Sequence, residues 1–100
     1  MDEPCYLCSH LVRLVVEGTE QWVNLEEIRE SGAVVECEEA VGCGASVYLL
    51  AERQFYEGRV VSSEMHSFGC RVEIEFSPAT LWRPEDWTPE HLLDPEKLKR

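Results

Sequence analysis

The chain has 100 residues, of which 44% are hydrophobic and 29% are charged, and its formal net charge is −11 at pH 7. A chain of this length forms one domain around one modest core, and the composition is typical of a folded globular protein. The excess of 20 acidic over nine basic residues excludes a general role in binding nucleic acid or anionic membranes. Both of those ligands are held mainly through Lys and Arg.

The first residues, Met1-Asp2-Glu3-Pro4, are acidic and lack the basic start and apolar stretch of a signal peptide. No apolar run approaches the ~18 residues that a membrane span requires. We therefore expect a cytoplasmic protein without a membrane partner.

Most of the chain is predicted as short strands. The runs rich in β-branched and apolar residues that we predict as strands are 9–16, 21–28, 33–37, 46–51, 55–62 and 70–76. The last is the clearest, because Cys70, Val72, Ile74 and Phe76 alternate with charged residues. Gly58 within a strand indicates a bulge or a close backbone approach. Six antiparallel strands joined by glycine-containing turns predict a small all-β barrel, since closure removes exposed sheet edges.

The segment after residue 77 no longer has a strand pattern, and its prolines exclude one long continuous helix. Thr88-Pro89-Glu90 and Asp94-Pro95-Glu96 each have the pattern of an N-cap followed by proline, which predicts two short helices. We expect apolar side chains of this segment to pack on the barrel, namely Trp82, Trp87, Leu92 and Leu93. The alternative is that the two tryptophans form a protein-binding surface. The predicted organisation is an N-terminal segment (1–8), a barrel (9–77) and a cap (78–100).

A family resemblance is carried by Glu27-Ile28-Arg29-Glu30-Ser31-Gly32, which closes one predicted strand and opens the next. This segment resembles the second signature of the PilZ domain, which reads Asp or Asn, any residue, Ser, two residues, Gly. The order of strands and glycines downstream is also similar, so the resemblance covers roughly residues 9–77. It implies a six-stranded antiparallel barrel of PilZ type and a bacterial signalling role in binding cyclic di-GMP.

The chain also departs from the PilZ pattern. PilZ domains that bind cyclic di-GMP carry an Arg-x-x-x-Arg pair before the first strand, which stacks on guanine and binds phosphate. This chain has no arginine before Arg13, and Arg29 occupies the serine position of the second signature. The resemblance places a ligand-binding site at Arg13, Glu27, Arg29 and Gly32. At a turn between strands, Gly32 is expected to hold a positive φ.

Two functions follow from these departures. The first is a degenerate module that binds cyclic di-GMP weakly or not at all and acts through contacts with another protein. The alternative is a genuine cyclic di-GMP receptor with a non-standard site, in which Arg29 supplies charge for phosphate. Arg29 can equally be a solvated side chain beside Glu27 and Glu30.

The cysteines suggest a further hypothesis. Cys5 and Cys8, followed by His10, have a spacing at which thiolates bind zinc, and a small zinc-stabilised domain is the second alternative. No second ligand pair with similar spacing follows, so we expect free thiols with no metal or other cofactor. Cys37 and Cys70 are interpreted as small core residues.

No catalytic arrangement is evident in the sequence. The histidines are scattered, and no Ser-His-Asp or Cys-His pattern can be built from their spacing. Glu73 and Glu75 alternate with apolar residues, which predicts a solvent-facing position rather than acid–base chemistry. We therefore expect a binding module and not an enzyme.

Overall fold

The computed structural model describes residues 3–93, which fold into a closed antiparallel β-barrel. Its six strands are β1 (Cys5–Val16), β2 (Thr19–Arg29), β3 (Gly32–Cys37), β4 (Ser46–Ala51), β5 (Gln54–His66) and β6 (Gly69–Phe76). Around the barrel they follow the order β1-β2-β3-β6-β5-β4, and β4 closes the ring by pairing with β1. This architecture confirms the predicted six-stranded antiparallel barrel. The described residues contain no helix long and apolar enough to cross a bilayer.

The barrel interior is filled by the alternate apolar side chains of every strand. In β6, Cys70, Val72 and Ile74 are fully buried and Phe76 is 4% exposed, which confirms the predicted alternation. Cys37 lies opposite Cys70 in the β3–β6 ladder, and both are core residues as predicted. Burial of these side chains is the main stabilising contribution, at about 25 cal/mol per Å² of apolar surface.

Five of the six strands are longer than predicted, and β1 and β5 are extended the most. β1 begins at Cys5 because its first residues pair with the end of β2, Cys5 lying opposite Arg29. β5 continues to His66, where it pairs with Gly69 in the hairpin to β6. Glu17 and Gly18 have φ values of 51° and 79°, so β1 and β2 are joined by a two-residue turn with both residues left-handed.

The prediction of a positive φ at Gly32 is wrong. Gly32 lies outside the left-handed region, and glycine is needed there because a Cβ would collide with the backbone oxygen of Ile74 in β6. The predicted close backbone approach at Gly58 is confirmed, since a Cβ added there would lie 2.6 Å from the backbone oxygen of Glu75. Both glycines therefore allow neighbouring backbones to approach closely.

The segment from 77 to 93 forms turns rather than the helix predicted at Thr88-Pro89-Glu90. Its backbone groups are used by β1 instead: Leu7 and Leu93 exchange two hydrogen bonds of 2.9 and 2.6 Å, and Ser9 N–H donates to Glu90 O at 3.2 Å. Pairing with the free edge of β1 replaces the bonds that a helix would form. The second predicted helix, at Asp94-Pro95-Glu96, lies outside the described residues.

The two tryptophans of this segment close one end of the barrel. Trp82 is 1% exposed and Trp87 is 9% exposed, and Trp82 Nε1 donates to Trp87 O at 3.1 Å. Trp87 Nε1 donates to the hydroxyl of Tyr56 at 2.8 Å. These side chains pack on the core as predicted, and Leu92 is partly buried against it. Leu93 is 49% exposed, because its contact with the barrel is made by its backbone.

Candidate functional site

A charged cleft runs along the outer face of the barrel above β3. It has a volume of about 200 Å³, and its lining residues are Glu27, Arg29, Val34, Ser62, Glu64, Arg71 and Glu73. The strand register brings them together, since Glu27, Val34, Glu73 and Ser62 lie side by side on β2, β3, β6 and β5.

Arg71 forms one half of the ion-pair network in this cleft. Its guanidinium donates to Glu27 Oε2 at 2.6 Å and to Glu26 Oε1 at 2.8 Å. Both carboxylates reach the same arginine because the β2–β3 ladder shifts register between Leu25 and Glu27. Such a bulge re-aims adjacent side chains on the bulged strand.

Arg29 forms the other half. Its guanidinium lies 2.9 Å from Glu73 Oε2 and 3.3 Å from Glu3 Oε1. Glu3 also accepts a hydrogen bond from the hydroxyl of Ser31. The guanidinium extends over Gly32, where an added Cβ would lie 3.1 Å from Arg29 Nη2. Arg29 is thus a paired side chain rather than a solvated one, and its side chain is 22% exposed.

The electrostatics of the charged cleft disfavour an anion. Its two guanidinium groups are surrounded by five carboxylates, those of Glu3, Glu26, Glu27, Glu64 and Glu73. Each arginine is already shared between two of them. A phosphate entering the cleft would therefore have to displace existing charge-assisted bonds and lie beside like charges.

Three of the four ligand residues suggested by the sequence, Glu27, Arg29 and Gly32, lie together at this cleft, and Arg13 does not. Cys5 is the cross-strand partner of Arg29, and Arg13 lies roughly 25 Å from Cys5 along β1. Sequence reasoning missed the participation of Arg71 and Glu73. The missing information was the pairing of β3 with β6, which no local sequence pattern specifies.

On the opposite side of the barrel, large apolar side chains face outward. We use the term aromatic patch for Leu11, Trp22, Tyr48 and Phe55 together with Arg13, on β1, β2, β4 and β5. Trp22, Arg13, Leu50 and Phe55 form one row across the four strands. The Arg13 guanidinium lies 5.8 Å from the Trp22 ring centre, and the Tyr48 and Phe55 rings are 6.4 Å apart.

The thiols near the start of β1 lie in an unfavourable setting for a metal ion. Cys5 Sγ donates to Glu27 Oε1 at 3.3 Å, whereas Cys8 Sγ donates to Leu25 O at 3.5 Å. Burial, together with the nearby Cys5 thiol and the carboxylate of Glu27, raises the pKa of the Cys8 thiol to about 12. His10 is directed elsewhere, towards Trp87 and the carboxylate of Glu90. Within 3–93, no three His, Cys, Asp or Glu side chains are placed to hold one ion.

No protein-family model matches this chain, and none of the curated proteins matches its sequence.

Proposed function

We propose that this chain is a bacterial, cytoplasmic binding module of PilZ type, and not an enzyme, whose nucleotide site is degenerate and which acts through protein contacts. One observation carries the proposal: in the charged cleft, Arg29 and Arg71 are each held between two carboxylates. A receptor for an anionic dinucleotide requires arginines that are free to bind phosphate.

The PilZ component of the proposal is supported by architecture and by the position of the motif. The barrel is closed, antiparallel and six-stranded, as the resemblance implies. The segment from Glu27 to Gly32 spans the end of β2, the turn and the start of β3. Two of its side chains, those of Glu27 and Arg29, line the charged cleft.

Loss of the arginine pair weakens the binding of phosphate. A charge-assisted hydrogen bond contributes about 1.5–3 kcal/mol, and a site lacking the arginine pair loses two or more of them. Because about 1.4 kcal/mol corresponds to a tenfold change in affinity, the expected weakening is roughly a hundredfold or greater. Recruiting Arg29 instead would require breaking its bonds to Glu3 and Glu73.

Calorimetric titration of the full chain with cyclic di-GMP at physiological salt tests this proposal. We expect no saturable heat at micromolar ligand, and any residual binding should be removed by Arg29→Ala but not by the matched control Arg59→Ala, an exposed arginine on β5. A sub-micromolar Kd that disappears in Arg29→Ala would establish the alternative, a receptor with a non-standard site. A sub-micromolar Kd that survives this substitution would show that the site lies elsewhere.

A further inference from the structure

We infer that the aromatic patch binds a short, basic, amphipathic segment of another protein. The inference deepens the proposed function, because it names the surface and the chemistry of the protein contact. It rests on the composition of the patch, its size and the charges around it.

The composition is that of a binding surface rather than of a solvated sheet face. Leu11 and Trp22 are each 64% exposed, Phe55 is 57% exposed and Tyr48 is 44% exposed. The fold does not require them, since the inward side of the same strands supplies the core. Tryptophan, tyrosine and arginine are the residues that most often dominate binding energy at protein interfaces. Exposed apolar clusters of this kind mark interaction sites.

The side chain of Arg13, at the centre of this patch, is held in position by two neighbours. It lies over Trp22 and forms an ion pair with Glu20 at 3.5 Å. The neighbouring rings of Tyr48 and Phe55 lie against each other, with centroids 6.4 Å apart, which restricts their side-chain freedom before a partner binds. The patch is therefore largely preformed.

Size selects a short segment over a second copy of the chain. Four strands spaced by ~4.8 Å and three side-chain rows spaced by ~6.8 Å give a surface of roughly 400 Å² with its side chains. A standard protein interface buries about 800 Å² on each partner. One helix or one extended strand covers the smaller area.

Charge determines the chemistry of that segment. The row containing Val15 and Tyr48 ends in a carboxylate on both sides, Glu20 on β2, which Arg13 approaches at 3.5 Å, and Glu57 on β5. A partner with apolar side chains in its middle and Lys or Arg at its edges is complementary to this pattern. A second copy, which carries the same charge of −11, and an anionic membrane are repelled.

The experiment uses a random 12-residue peptide library displayed on phage and the intact chain as bait. We expect the recovered peptides to combine aromatic or aliphatic residues with Lys or Arg. One of them, synthesised and labelled, should lose at least tenfold in affinity when tested against Trp22→Ser by fluorescence polarisation. The matched control is Phe68→Ser, which removes a 92% exposed ring from the β5–β6 turn, and it should bind as the unaltered chain does.

Several results would overturn the inference. They are the recovery of acidic peptides, the failure of any peptide to be enriched, and an equal loss of affinity in Trp22→Ser and Phe68→Ser. Dimerisation that depends on Trp22, measured by sedimentation, would identify a second copy as the occupant instead. None of these results depends on cyclic di-GMP. Tight binding of cyclic di-GMP together with the expected peptide binding would overturn only the degenerate-site proposal. Weak or absent binding of cyclic di-GMP together with a failure of the expected peptide binding would overturn only this inference.

Discussion

Arg71 on β6 is bonded to Glu27 on β2 although β3 lies between the two strands. The bond crosses Val34, which faces outward and is nevertheless only 6% exposed. The ion pair thus covers an apolar side chain on the outside of the barrel, and the hydrocarbon stem of arginine is suited to this role.

The first prediction is that Arg71→Ala destabilises the fold by about 1 kcal/mol, because it uncovers Val34 and leaves Glu26 and Glu27 unpaired beside each other. Arg71→Met retains the stem and should recover part of that loss. Urea unfolding measures both variants, with the exposed Arg59→Ala as the control. Equal midpoints for Arg71→Ala and the unaltered chain would show that the network does not stabilise the barrel.

The second prediction concerns the close approach of β3 to β6. Gly32→Ala should lower the free energy of unfolding by roughly 1–3 kcal/mol, because its Cβ would collide with the Ile74 carbonyl and the strands would have to separate. Gly42→Ala is the matched control: nothing lies within 4 Å of the added Cβ, and Gly42 has no positive φ. Thermal unfolding of the two variants makes the comparison, and a similar Tm for both would contradict the proposed contact.

The third prediction separates two tryptophans of opposite function. Trp82→Ala should cost about 3–5 kcal/mol, since it empties a buried site at the end of the barrel and removes the bond to Trp87 O. Trp22→Ala should change stability by less than about 0.5 kcal/mol, since its ring is 64% exposed. Chemical unfolding followed by circular dichroism distinguishes them. A large loss in Trp22→Ala would mean that the aromatic patch is structural.

The fourth prediction is a loss of stability at alkaline pH. Burial raises the pKa of the Cys8 and Cys37 thiols, ordinarily 9.0, to about 12, and it raises the pKa of the Tyr56 hydroxyl from 10.0 to about 12. Above about pH 9 the unfolded chain releases these protons while the folded chain retains them. The free energy of unfolding therefore falls as pH rises towards about 12 and does not depend on these groups below about pH 8.

Urea midpoints across this alkaline range measure the effect. Cys8→Ala removes one of the groups and should reduce the dependence on pH, while Ser9→Ala, a neighbouring substitution without a titrating group, should not. An unchanged slope in Cys8→Ala would show that this thiol titrates alike in the folded and unfolded chain.

The elements that the sequence predicted correctly are those governed by local alternation. In β6, the period of two from Cys70 to Phe76 specifies which face is buried, because one side of a barrel strand faces the core and the other faces solvent. This alternation depends only on residues that are neighbours in sequence. The burial of Trp82 was also predicted, but its size and apolar character do not decide it, since Trp22 is 64% exposed.

The features that were missed depend on pairing between distant segments. Arg71 and Glu27 are 44 positions apart, and only the strand order of the barrel places them together. At Thr88-Pro89-Glu90 the helix-capping pattern is present, but the unpaired edge of β1 offers the backbone better partners. The need for glycine at position 32 is also non-local, because the carbonyl that a side chain there would meet belongs to Ile74 of β6. Tertiary context overrides local propensity in each case.

The pairing of Leu7 with Leu93 also affects the kinetics of folding. β1 pairs with β2 in the first hairpin, but its other edge pairs with β4 and with Leu93, which follow later in the chain. During translation the first hairpin leaves the ribosome with the apolar faces of Val12 and Leu14 still uncovered. Ring closure brings together segments far apart in sequence, so we expect it to be slower than formation of the first hairpin. Until it occurs, the uncovered apolar faces leave the incomplete barrel more prone to aggregate than the closed one.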